Sequence, residues 1–174
     1  MGDHGKLYLP SENITIYKRL LSIASIITPN GFEASLLSGL EITDLNSVMK
    51  IFDLLHSLGP SRVIITSTEL SDQKSDHLYL LFSDSIYSAR WMIEFPKLES
   101  KVSGTGDLFN SLLLGYLPKE ITSESFAESV EKATNAIQNI LQNTRNAPEL
   151  AIVESKDVIL NPIKMFTLNK INMT

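Results

Sequence analysis

Apolar residues recur along this chain in two rhythms: a helical spacing of three to four residues, and short unbroken runs of the kind that fill a buried strand. After a loop-like opening over residues 1–13, Ile14, Tyr17, Leu20, Leu21 and Ala24 make a helical stripe. Ser25-Ile26-Ile27-Thr28 is a short β-prone run stopped by Pro29, which holds Thr28 extended and removes a backbone donor. Asn30-Gly31 opens a short helix over about 32–38 that ends at Gly39. Asp44 is positioned to cap a stronger helix carrying Val48, Ile51, Phe52, Leu55 and Leu58, ended by Gly59-Pro60. Arg62 to Thr66 reads as a buried parallel strand, and His77 to Glu94 as a hairpin turning near Ser83-Asp84-Ser85. A helix over about 106–116 turns Leu108, Phe109, Leu112 and Leu113 inward. A long one from about Ser123 to Asn146 carries Phe126, Val130, Ala133, Ile137, Ile140 and Leu141. The tail holds one short amphipathic stretch and Pro162.

Helices interleaved with apolar strands predict an α/β sandwich with a mainly parallel sheet and a small β-hairpin. Only about four or five strands are visible, so the sheet is thin, and residues 1–174 are expected to form a single partial domain.

Composition narrows the function. Hydrophobic residues make up 43% and charged residues 20%, which is a globular balance. The net charge of −5 gives no footprint for nucleic acid or an anionic membrane. The absence of cysteine excludes thiol nucleophiles, disulfides and zinc–thiolate sites, and it is compatible with a cytoplasmic location. No apolar run spans a bilayer, and the first residues lack the apolar core of a signal peptide. His4, His56 and His77 are scattered without metal-ligand spacing, and Trp91 reads as a sheet-packing residue.

Candidate chemistry gathers in three places. Gly104-Thr105-Gly106-Asp107 immediately precedes a helix; glycines admit close ligand approach, the first helical amides point outward, and Asp107 can take a proton from a hydroxyl. The same tetrapeptide also fits a simple turn with an aspartate cap. Asn30 and Glu33 lie on one helical turn, where they can organise a hydrated magnesium ion or form a capping box. Thr66-Ser67-Thr68 puts hydroxyls at a strand's carboxyl end, where open α/β sheets bind ligands, or is merely a polar strand end.

In their order these segments resemble the pyridoxal kinases of the ribokinase-like superfamily. Met1-Gly2-Asp3 looks like the end of that family's Asp-Pro-Val-Met-Gly-Asp strand, and Gly5-Lys6-Leu7-Tyr8-Leu9-Pro10 like its next loop. Ile26-Ile27-Thr28-Pro29-Asn30, Phe32-Glu33 and Leu36-Leu37-Ser38-Gly39 match its central signature. Leu55-His56-Ser57-Leu58-Gly59-Pro60 with Val63-Ile64-Ile65-Thr66-Ser67 resembles eukaryotic members, and Gly104-Thr105-Gly106-Asp107-Leu108-Phe109 completes the pattern. The resemblance covers about residues 1–160.

The resemblance implies a ribokinase-like three-layer sandwich and an ATP:pyridoxal 5′-phosphotransferase. Asp107 would deprotonate the 5′-hydroxymethyl group, and the amides of Gly104, Thr105 and Gly106 would form the anion hole for the transferred phosphoryl group. Asn30 and Glu33 would organise phosphate and Mg2+, while Thr66, Ser67 and Thr105, with Gly106, would contact ATP phosphates. Asp3, Thr28 and Thr66 would line a site for a monovalent cation, K+ or Na+, and Leu98-Glu99-Ser100 occupies the place of a nucleotide-contacting loop. Ser103 stands where some relatives carry an apolar residue. Implied partners are pyridoxal and related B6 vitamers and a second copy of the chain. A stretch of comparable length precedes this region in the family, so the chain is expected to be the C-terminal, ATP-binding half, to lack the vitamin pocket, and to be weakly active or inactive alone. The alternatives are a non-catalytic truncated isoform and a kinase for another small molecule such as hydroxymethylpyrimidine.

Overall fold

The computed structural model describes residues 2–3, 6–8, 10–98, 102–144 and 149–171, and of Gly2, Asp3 and Lys6 the backbone only. The chain divides into two compact units, residues 1–96 with 170–174, and residues 97–169.

The first unit is α/β. Strands β1 (Gly2–Asp3) and β2 (Lys6–Leu7) form an antiparallel pair. Helix α1 (Asn13–Leu20) runs into a 3₁₀ turn, Leu21–Ile23, and of the predicted stripe only Leu21 is buried. Next come β3 (Ile26–Ile27), α2 (Gly31–Ser38), α3 (Leu45–Ser57), β4 (Arg62–Thr68), β5 (His77–Asp84) and β6 (Ala89–Pro96). Capping boxes start both α2 (Asn30 with Glu33) and α3 (Asp44 with Ser47), satisfying donors that a helix start otherwise leaves open. Val48, Ile51, Phe52 and Leu55 turn into a core shared with Ala34, Leu37, Val63, Ile65, Tyr79 and Leu81.

The sheet runs β3-β4-β5-β6-β7, where β7 is Asn169–Lys170. It is not mainly parallel, as the sequence had predicted. Only β3 and β4 pair parallel, whereas β4–β5 and β5–β6 are antiparallel. The cause is connection length. Residues 28–61 carry two helices between β3 and β4, enough for a crossover, while residues 69–76 and 85–88 are too short for one and force reversal. The apolar run Val63-Ile64-Ile65 reported burial on both faces and was silent about direction. The hairpin turn also lies later than predicted, over 85–88, with Ser88 at φ 49°. Ser83 and Asp84 are therefore buried strand residues: the Asp84 carboxylate pairs with Arg62 at 3.0 Å and accepts from the Ile86 amide. Phe82 and Trp91 stack across the hairpin at 4.8 Å, which confirms the packing role of Trp91. His56 joins the Pro60 carbonyl (2.7 Å) to the Ser83 hydroxyl (2.9 Å), a structural role.

The second unit is helical: α4 (Thr105–Tyr116), α5 (Ser123–Asn143) and the short α6 (Lys156–Leu160). Thr122 and Ser125 form a capping box at the start of α5, and Ser129 donates to the Tyr116 carbonyl at 3.1 Å, pinning the antiparallel return. Phe126, Val130, Ala133, Ile137 and Ile140 are buried as predicted. A polar ladder on α5 does separate work. Asn135 accepts from the amides of Met165 (2.7 Å) and Phe166 (2.9 Å), Asn139 accepts from Ile163 (2.9 Å), and Glu131 accepts from Leu168 (2.7 Å). The i, i+4 spacing of Glu131, Asn135 and Asn139 aligns them on one side of the helix, where they strap down residues 163–168. No helix among the described residues is long and apolar enough to cross a membrane.

Candidate functional site

In the first unit, β3 leads through Thr28 and the buried Pro29 to Asn30. Asn30 is extended (φ −75°, ψ 174°), and its side chain accepts from the Glu33 amide at 2.9 Å. The Glu33 carboxylate accepts in return from the Asn30 amide at 3.1 Å. The capping-box reading of this pair is thus realised, with one oxygen of each side chain committed to it. Beside this turn, β4 is irregular. Three steps from Ile65 to Thr68 face two steps from Leu81 to Tyr79, so an extra residue bulges out at Thr66–Ser67. Bulges of this kind re-aim side chains next to sites. Here the Thr66 amide donates to the Pro29 carbonyl at 2.9 Å and its hydroxyl does so at 3.4 Å, joining the strand end to the cap turn. Asn30, Glu33, Thr66 and Ser67, all half-buried, are therefore brought together, with Thr28 two residues before the cap. Asp3 sits in β1 opposite Lys6, and its side chain lies outside the described residues.

In the second unit, α4 starts at Gly104, whose φ of 90° and ψ of 4° place it in the left-handed region that glycine enters at no steric cost. No side chain caps this start. The first helical hydrogen bond runs from the Leu108 amide to the Gly104 carbonyl at 3.0 Å, so the amides of Thr105, Gly106 and Asp107 precede the ladder. A Cβ at Gly106 would meet open space. Asp107 is exposed in the first turn, and the Ser111 hydroxyl donates to its main-chain carbonyl (2.9 Å). Thr105 is half-buried and Leu98 exposed; Glu99 and Ser100 lie outside the described residues.

A cleft of about 430 Å³ opens beside Gly104 and Asp107, walled also by Glu149, Leu150 and Ile152. Sequence reasoning missed these three. Helix lengths held the signal: α5 has 21 residues and α4 has 12, so the returning helix overshoots and brings the chain back beside Gly104.

A bare helix start with an adjacent carboxylate suits an oxyanion carrying a transferable group. Among the described residues there is no group of three or more His, Cys, Asp or Glu that could hold a metal ion. Magnesium takes oxygen ligands and keeps several waters, and Glu33 is the carboxylate that the cap turn sets beside Asn30, Thr66 and Ser67.

The chain is similar to known kinases in sequence and in fold. A model of the phosphomethylpyrimidine kinase family matches residues 2–152. Human pyridoxal kinase is 35% identical over 182 residues, covering 91% of this chain and 58% of that protein. A putative pyridoxal kinase of Schizosaccharomyces pombe is 31% identical, covering 95% and 61%. The structure of pyridoxal kinase from Leishmania donovani in complex with ADP and pyridoxamine superposes with a TM-score of 0.89 at 30% identity, covering 99% of this chain and 59% of that one. The chain thus spans about three-fifths of the length of the relatives it matches. The ribokinase-like α/β sandwich expected from the sequence holds, with the sheet directions corrected above.

Proposed function

Because the chain belongs to the phosphomethylpyrimidine kinase family, with the pyridoxal kinases among its ribokinase-like relatives, we propose that it carries the nucleotide-binding and base-bearing part of an ATP-dependent kinase for the 5′-hydroxymethyl group of pyridoxal. The observation that carries this reading is the uncapped start of α4 beside an exposed carboxylate. Phosphoryl transfer asks for positioning, charge neutralisation and a base, and little covalent chemistry.

In this reading the Asp107 carboxylate accepts the proton of the substrate hydroxyl as its oxygen bonds to the γ-phosphorus and the β–γ bridge breaks, leaving ADP. The amides of Gly104, Thr105 and Gly106 receive the phosphoryl oxygens. Thr66 and Ser67 bond nucleotide phosphates, and Asn30 and Glu33 orient phosphate and the water shell of Mg2+. Mg2+, held there, would supply charge neutralisation to the nucleotide phosphates. Leu98, Glu99 and Ser100 would serve the nucleotide, and Asp3, Thr28 and Thr66 would hold a monovalent cation, K+ or Na+. The same reading implies a homodimer and a cytoplasmic location.

The matched family model's own description favours a second reading, in which the accepting alcohol belongs to a hydroxymethylpyrimidine. The experiment is phosphoryl transfer from ATP to pyridoxal and to hydroxymethylpyrimidine in parallel, by the chain alone, which is expected to be weakly active or inactive, and by a complete kinase restored around it, with Asp107→Asn of the complete kinase alongside. Expected is a preference for pyridoxal and a loss on the order of 100-fold or more in turnover for the variant, with nucleotide affinity unchanged. Turnover untouched in Asp107→Asn removes the proposal; preference for the pyrimidine moves it to the second substrate.

A further inference from the structure

Gly31, the first residue of α2, is buried between Asn30 and Glu33. Its backbone lies outside the left-handed region, so nothing conformational requires glycine there. The requirement is spatial. A Cβ at position 31 would lie 2.5 Å from Thr68 Oγ1, 2.8 Å from Thr68 Cβ and 3.2 Å from the Ser67 carbonyl oxygen. Real Cβ atoms do not approach that closely, and Thr68 has little room to yield. It is 8% exposed, β-branched and therefore stiff at χ1, and its hydroxyl donates to the Glu69 carbonyl at 3.3 Å. It also closes the bulge, paired with Tyr79.

The contact sits on the seam that the proposed phosphate side depends on. On one side of Gly31 the Pro29 carbonyl receives the Thr66 amide at 2.9 Å; on the other, Glu33 closes the box with Asn30. Any side chain at 31 would prise the first turn of α2 away from the bulged end of β4. We propose that Gly31 and Thr68 are positioning residues, a bare Cα seated on a branched side chain, which together set the spacing between the Asn30–Glu33 turn and the Thr66–Ser67 hydroxyls and so the affinity for the phosphates of Mg·ATP. This rests on the reading of those four residues as the phosphate and magnesium side of the site.

The test is Mg·ATP binding by calorimetry, with the Mg2+ concentration for half-saturation, on the full chain and on Gly31→Ala, Thr68→Gly and the double variant, with Asn30→Ala and Glu33→Gln as references. Gly31→Ala is expected to weaken Mg·ATP about tenfold and raise the Mg2+ requirement, since misplacement of about 1 Å costs up to 100-fold in comparable sites. The double variant moves the bare position across the contact and is expected to recover affinity to within about threefold of the parent, a rescue that general destabilisation would not produce. If Gly31→Ala alone does not fold, recovery of both folding and affinity in the double variant supports the pairing. A folded double variant that still binds about tenfold more weakly overturns it. So does a Gly31→Ala that binds normally while Asn30→Ala and Glu33→Gln bind poorly, and in that case the phosphate reading survives. If none of the single variants alters binding, the phosphate reading fails and the pairing fails with it.

Discussion

The Thr144 hydroxyl accepts a hydrogen bond from the Ala151 amide at 3.0 Å while donating to the Ile140 carbonyl at 2.6 Å. One buried side chain at the end of α5 therefore fixes the segment that brings Leu150 and Ile152 to the cleft beside Gly104. Thr144→Val keeps the shape and removes both bonds, leaving a half-buried amide without its acceptor. The expected cost is about 1–2 kcal/mol in urea denaturation. Amide exchange should accelerate at Ala151 and stay unchanged in α3. Unaltered exchange at Ala151 would show that the hydroxyl does not hold this segment.

Ser123 gives the opposite case. Its side-chain oxygen is the one buried polar side-chain atom among the described residues with no hydrogen-bond partner, in a residue 2% exposed at the first position of α5. Ser123→Ala removes an unsatisfied hydroxyl and introduces the best helix former, so the chain should melt at or above the parent temperature, by up to about 1 kcal/mol of added stability. Ser129→Ala, which loses bonds to the carbonyls of Tyr116 and Ser125, should melt lower. A destabilised Ser123→Ala would mean that this oxygen has a partner in solution.

Tyr116 links stability to alkaline pH. Burial raises its pKa above the ordinary 10.0, and its phenol donates to the Ile159 carbonyl at the end of α6. The neutral phenol is the form the fold uses. The unfolded chain ionises first, so this contribution is intact below about pH 10 and declines as pH rises toward the folded value. Phenolate absorbance should show a late-titrating step, and Tyr116→Phe should abolish that step and flatten the alkaline fall in stability. A late step that persists in the variant would assign it to another tyrosine.

How much of this was legible beforehand depended on what each residue pattern encodes. The Asp44 cap, the α3 stripe and the apolar face of α5 were readable because each is local and repeats at the helical period. Sheet direction was not, because Val63-Ile64-Ile65 looks the same beside a parallel or an antiparallel neighbour, and only the short connections 69–76 and 85–88 discriminate. Asn135 and Asn139 are buried and bind residues more than twenty positions away, a partnership that no local pattern announces. The Gly104–Asp107 turn stood out because glycines before a helix are a local signal, whereas Leu150 and Ile152 reach the same cleft only through the length of α5.

Helices α2, α3 and α5 each begin with a reciprocal side-chain lock, while α4 begins on a bare glycine. That contrast limits attempts to make the protein more heat-resistant. An asparagine or aspartate at position 104 is the obvious improvement by the rules of helix design, since both tolerate a left-handed backbone and supply the missing acceptor. The new oxygen would occupy the ground left open for an incoming anion, so a hardier chain made this way would trade its proposed occupant for its own side chain.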